Sequence, residues 1–174
     1  MNTMISVLFA SLALLLVSAC GSVADEPNPS TGKTTVKAFE VTGSVAELDH
    51  GRVVIDANRN QGRFRIHWKV ATSDPYPMSL WLSHDENLNM AGDLRIYQHN
   101  CGSLSLYSCG HDVDLDCRFT TENMLSCGEP SLANPERNLT TYLVSLPAEK
   151  NLIFNVCNAL VTDCKQVVVP VVFR

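Results

Sequence analysis

Three carboxylates stand at alternate positions in His111-Asp112-Val113-Asp114-Leu115-Asp116, so on an extended strand Asp112, Asp114 and Asp116 share one face. Such a face invites a cation. A calcium loop of the helix-loop-helix kind, however, needs glycine at its sixth position and a bidentate acid at its twelfth. Counted from Asp112, those places hold Cys117 and Asn123, so the run reads as a solvated strand face with Val113, Leu115 and Cys117 turned inward. A second polar cluster, Ser83-His84-Asp85-Glu86-Asn87 followed by Gly92 and Asp93, trails the apolar run Leu80 to Leu82. Asp and Asn side chains there accept backbone N–H bonds and build a tight turn. Asp85 and Asp93 are the two acids of that loop that could also hold calcium. His50, His67, His84, His99 and His111 are scattered singly, and no GxSxG elbow or comparable nucleophile signature accompanies them. No catalytic residue and no cofactor is assigned on these patterns.

Sulfur is the other reactive group, with seven cysteines in the chain. Cys20 stands apart near the start. Cys101, Cys109, Cys117, Cys127, Cys157 and Cys164 form an even set in the C-terminal half, without the CxxC spacing that zinc sites or redox catalysis use. They read as disulfides, although six cysteines allow about 15 connectivities. Local spacing favours Cys101 with Cys109, Cys117 with Cys127 and Cys157 with Cys164, each bracketing a turn. Closing loops of this size is worth about 2–3 kcal/mol apiece in the chain-entropy picture. Such bracing persists only in an oxidising compartment.

The first nineteen residues carry no Asp, Glu, Lys or Arg, and Ile5 to Val17 is almost wholly apolar. The run is shorter than the ~20 residues of a membrane-spanning helix and ends in small residues, the shape of a signal peptide. Val17-Ser18-Ala19-Cys20, followed by Gly21, resembles the bacterial lipobox, although the usual Lys or Arg near the start is missing. The resemblance implies cleavage before Cys20, acylation of that residue and a lasting membrane anchor. With Gly21 rather than Asp next to the lipidated cysteine, it also implies the outer membrane. Residues 20–35, rich in Pro, Gly, Ser and Thr, then read as a flexible tether.

The elements that position these groups follow from period-two patterning. Phe64, Ile66, Trp68 and Val70 alternate with Arg63, Arg65, His67 and Lys69, the signature of a half-buried strand. Further strands are expected at Val36 to Val45, Val53 to Ile55, Ser79 to Ser83, Leu94 to Gln98, Ser103 to Tyr107 and Asp112 to Phe119. Thr140 to Leu146, Leu152 to Cys157 and Val167 to Phe173 complete the set. The last is apolar on both faces and is expected to start central and change partner at Pro170. Trp68 and Trp81, inside strand runs, read as core. Within a chain of 174 residues that is 45% hydrophobic, this predicts one all-β domain over residues 36–174, an immunoglobulin-like antiparallel β-sandwich braced by disulfides. A net charge of −5, from 13 Lys and Arg against 18 Asp and Glu with no basic cluster, argues against a nucleic-acid partner.

The stretch Ser79 to Tyr97 resembles the cell-adhesion-related domain found in bacteria, an immunoglobulin-like module. It places an apolar strand ahead of Leu82, Ser83 and Asp85, then Asp93 ahead of Leu94 and Ile96. The resemblance implies the sandwich and a role in adhesion or assembly. Together these readings give a lipid-anchored, non-enzymatic envelope protein that binds a protein or glycan partner. A small hydrolase or a protease-inhibitor-like protein is the alternative.

Overall fold

A computed structural model describes residues 33–102 and 108–174. The leader, Cys20, most of the expected tether and the expected strand Ser103 to Tyr107 lie outside the described residues. Those described build a two-sheet β-sandwich with little helix. Sheet A joins β1 (Thr35–Thr42), β4 (Arg63–Ala71), β7 (Asp112–Phe119), β8 (Met124–Cys127) and β9 (Arg137–Asn138) in that order. Sheet B runs β2 (Leu48–Asp49), β3 (Arg52–Ile55), β11 (Cys164–Phe173), β10 (Ala148–Cys157), β5 (Tyr76–Ser83) and β6 (Leu94–Cys101).

Alternation fixes which face of each strand is buried. On β4, Phe64, Ile66, Trp68 and Val70 are buried while Arg63, Arg65 and Lys69 are exposed. The two inner faces meet around Phe154, whose ring lies 5.1 Å from Phe39 and 5.8 Å from Trp68. Phe119 and Phe173 close the layer edge to face at 5.0 Å. Burying a side chain of this size stabilises by about 1.5–3 kcal/mol. Trp81 is also buried, but on the outer side of sheet B, with its Nε1 donating to Ser79 Oγ at 2.8 Å and Arg95 over its ring.

Three expectations are corrected. Thr140 to Leu146 is not a strand, since Thr140–Leu143 form a single helical turn, α1. Its β-branched and aromatic residues suggest extension, yet Leu139 and Leu143, four apart, are the residues buried, whereas Val144 and Leu146 are exposed. The sandwich is not wholly antiparallel, because β3 pairs parallel with the end of β11, Val53 against Val171 through Ile55 against Phe173. β11 also reverses the expected order. Its first half borders β10 alone and is half exposed, and only beyond Pro170 does β3 arrive to bury Val171, Val172 and Phe173. Proline, lacking an N–H, sits where the second neighbour ends.

The strand registers define two ends. At the entry end lie the start of β1, the β4–β5 connection, Cys101 and the β10–β11 hairpin. At the far end lie a 3-10 turn at Asn60–Gly62, the β5–β6 loop, the β7–β8 turn and α1.

Candidate functional site

Antiparallel pairing of β4 with β7 sets the two charged faces of the sequence against each other on the outside of sheet A. Lys69 faces Asp112, His67 faces Asp114 and Arg65 faces Asp116. Lys69 Nζ donates to Asp112 Oδ2 at 2.6 Å, His67 Nδ1 lies 3.0 Å from Asp114 Oδ1, and Arg65 Nε donates to Asp116 Oδ1 at 2.9 Å. The hydrogen bond from Lys69 holds the Asp112 carboxyl below its ordinary value, and the Asp116 carboxylate raises Arg65. The groups opposite the acidic run are the chain's own Lys69, His67 and Arg65. At the fourth rung Arg63 faces Arg118, and a cleft of about 750 Å³ opens there, bordered by Thr42, Asn60, Ser126 and Glu129.

Gly62 makes this register attainable. Its φ is +70°, and a Cβ on it would sit 1.7 Å from the Phe119 carbonyl oxygen, so only glycine brings β4 this close to the end of β7.

A second cluster forms at the far end from three separate elements. Lys150 of β10 donates to His84 Nδ1 at 2.8 Å, which places the proton of a neutral His84 on Nε2. The Tyr142 ring of α1 lies 4.5 Å from the His84 ring and 5.2 Å from the Lys150 ammonium. Tyr142 donates its hydroxyl to the Leu82 carbonyl at 2.6 Å. Burial first, then the charges of Asp93 and Asp85, push the phenol up to about 12, and burial lowers Lys150 below the usual lysine value. Next to this cluster Val144 adopts φ 57° and ψ −53°, a strained position for a β-branched residue.

At the entry end the Cys157–Cys164 disulfide closes the β10–β11 hairpin. Inside it, Asn158 Oδ1 accepts the backbone N–H of Thr162 at 2.9 Å and of Asp163 at 3.3 Å, and Asn158 Nδ2 donates to Thr162 Oγ1 at 2.9 Å. The braced tip leaves Leu160 50% and Val161 62% exposed. Val161 is held at φ 58°. Cys101 with Cys109 and Cys117 with Cys127 complete the locally favoured pairing.

Asp85 and Asp93 each have a turn-building role. Asp85 Oδ1 accepts the N–H of Asn87 at 2.7 Å, and Asp93 Oδ2 accepts that of Asn89 at 2.7 Å. Among the described residues, the one group of three metal-capable side chains within reach of one another is His99, Cys101 and Cys109. Its two sulfurs are joined to each other and offer no thiolate. His50 sits in a turn beside Asp49, and His111 lies against Tyr76 at 5.6 Å. Arg63, Arg118, Tyr142 and Lys150 escaped the sequence reading as site residues. A signal for the first two existed: read backwards, Lys69, His67, Arg65 and Arg63 match Asp112, Asp114, Asp116 and Arg118 rung for rung. None announced the meeting of Tyr142 and Lys150 with His84, which depends on β5 pairing with β10 and on where α1 packs.

No family model, curated protein or solved structure matches the chain.

Proposed function

We propose that the chain is a non-enzymatic binding or structural module of the bacterial cell envelope, anchored at the outer membrane through a lipid on Cys20, with a protein or glycan as its partner. The observation that carries this reading is the braced hairpin, which holds Leu160 and Val161 out in solvent on a tip constrained by a disulfide and by Asn158. Preorganised apolar side chains lose little entropy on binding, which is how a small rigid surface gains affinity. The lipobox resemblance at Val17 to Cys20 supports the anchor, and three disulfide pairs support an oxidising compartment.

Crosslinking in intact cells followed by mass spectrometry tests it, comparing the native chain with Leu160→Asp/Val161→Asp and with Cys20→Ala. The hairpin variant is expected to lose the captured partner, and the Cys20 variant to leave the membrane pellet. An unprocessed, membrane-bound Cys20→Ala protein would overturn the lipid anchor. Capture unchanged by the hairpin variant would overturn the role of the tip.

The His84, Lys150 and Tyr142 cluster favours a second reading, a small hydrolase, because it brings a histidine, a lysine and a tyrosine from separate parts of the chain into contact at one end of the sandwich. Turnover of esters, peptides or glycosides by the purified protein, lost in Lys150→Met and His84→Ala, would establish it over the binding module. Inhibition of an added protease, lost in the hairpin variant, would instead establish the inhibitor-like alternative.

A further inference from the structure

Three rungs of the sheet A ladder set a base on β4 against an acid on β7, and the fourth sets Arg63 against Arg118. Like charges directly opposite one another across an antiparallel pair are destabilising. Packing does not require the pair, since both side chains are exposed and an acid at either position would extend the ladder. A local cost that a single substitution would remove marks a position kept for something other than stability.

The surroundings point to a ligand. Arg118 is held in place, its Nε donating to the Gln61 carbonyl at 3.2 Å, and, after the hydrogen bond from Thr120, its charge helps to lower the nearby Glu122 carboxyl, but neither guanidinium forms a direct ion pair among the described residues. Asp116, which also lines the cleft, is engaged by Arg65 at 2.9 Å. Two adjacent forks of N–H donors suit a carboxylate or a phosphate, which each guanidinium can grip through paired hydrogen bonds. The remainder of the cleft is polar, with the Thr42 and Ser126 hydroxyls, the Asn60 carboxamide and the Glu129 carboxylate. Phe64 and Cys117 also border it, but both are buried in the core. At about 750 Å³ the space exceeds a lone oxyanion and falls within the range of small-molecule sites.

We propose that this cleft binds an acidic saccharide, with the carboxylate or phosphate of the sugar seated between Arg63 and Arg118. The sugar hydroxyls then meet Thr42, Asn60 and Ser126 and donate to the Glu129 carboxylate. This goes beyond the proposed function, since the cleft lies at the end of the sandwich opposite the hairpin tip.

The test uses the full chain in detergent, titrated calorimetrically with D-glucuronate and with α-D-glucose 1-phosphate, and with glucose as the neutral control. Binding of either acidic sugar but not of glucose is expected, and it should weaken as salt is raised because the contacts are exposed and charged. Arg63→Met and Arg118→Met should each weaken it about ten-fold or more, while Lys165→Met, at the other end, should leave it unchanged. Arg63→Met should melt slightly higher than the native chain without ligand, since the like-charge contact is gone and the bond from Arg118 to the Gln61 carbonyl stays. Stability and binding thus move in opposite directions, which a misfolded variant cannot do. The proposal is overturned if neither acidic sugar binds below about 10 mM, a concentration equivalent to almost no specific affinity. It is also overturned if both arginine variants bind as well as the native chain. Binding of a glutamate-rich peptide in place of the sugars would replace the saccharide with an acidic protein segment. Partner capture through Leu160 and Val161 should survive Arg63→Met, so failure here and failure of the hairpin reading register separately.

Discussion

At the entry end, Leu160 and Val161 are held out by a disulfide and a ring of short-range bonds centred on Asn158, all within eight residues of chain. At the far end, Arg63, Arg118, His84, Lys150 and Tyr142 come from five different elements and depend on strand pairing and packing for their placement. The first kind of display survives local change elsewhere in the molecule. The second is only as stable as the sandwich, and it is polar and titratable where the first is apolar. A rigid apolar tip suits permanent or slow contacts, whereas a charged cleft suits ligands that salt and pH can regulate.

The largest effect should come from removing the close approach at the far end. Gly62→Ala places a methyl group against the Phe119 carbonyl at a positive φ, and it should cost roughly 3–5 kcal/mol in a urea melt. Acidic-sugar binding should fall with it while the hairpin stays closed, visible as an intact Cys157–Cys164 peptide in a non-reducing map. Opening the entry end is the converse experiment. Replacing Cys157 and Cys164 together by Ala should cost about 2–3 kcal/mol and reduce partner capture, yet leave sugar binding at the cleft unaltered.

A smaller change separates packing from charge within the far end. Tyr142→Phe removes the bond to the Leu82 carbonyl and should cost about 1 kcal/mol at neutral pH. Its pH dependence is more telling. The native phenol keeps its proton up to about 12, so between the ordinary tyrosine value and that point the folded state binds more protons than the unfolded one. Stability conferred by this group is complete below the unfolded value and is lost as pH rises toward 12. Lys150, lowered by burial, works in the opposite sense, adding stability with rising pH until the unfolded lysine also deprotonates. Thermal melts from pH 9 to about 12 should therefore show a downward slope that Tyr142→Phe flattens and Lys150→Met steepens.

The smallest effect belongs to the ladder. Asp112 is depressed by Lys69, so its contribution exists above the unfolded carboxyl value and disappears as pH falls through the lowered one. Asp112→Asn should flatten the acid side of the stability profile and otherwise change little. The difference from the native chain should vanish at about 1 M salt, where screening acts within roughly 3 Å. A large loss at neutral pH and high salt would show that the ladder does more than pair exposed charges.

How much was legible depends on the range of the interaction. The strand of Phe64 to Val70 was plain because alternation is local and its faces differ sharply. The pairing of cysteines seven to ten residues apart was favoured by spacing but not selected by it, and the structure joins those pairs, where a turn alone brings the sulfurs together. The short strands β2, β8 and β9 carry too few residues to show a period, and they exist because a neighbouring edge was available. α1 was misread because Thr140, Thr141 and Tyr142 have strand propensity, and the burial of Leu139 and Leu143 overrode it. The acidic run was correctly seen as a solvated face, but its partners could be named only once β4 and β7 were known to pair.

The sequence by itself determined the class of fold and the inward and outward faces of its long strands, and it favoured the short covalent braces. Each of these rests on spacings of two residues or on loops short enough to close themselves. Tertiary structure decided which strands became neighbours, and with that whether Arg63 met an acid or another arginine, whether Lys150 reached His84, and which half of β11 was buried. Those outcomes depend on the free energy of the whole core, because pairing two strands commits every residue on both of them to one register at once. The charged cleft is a consequence of that single choice.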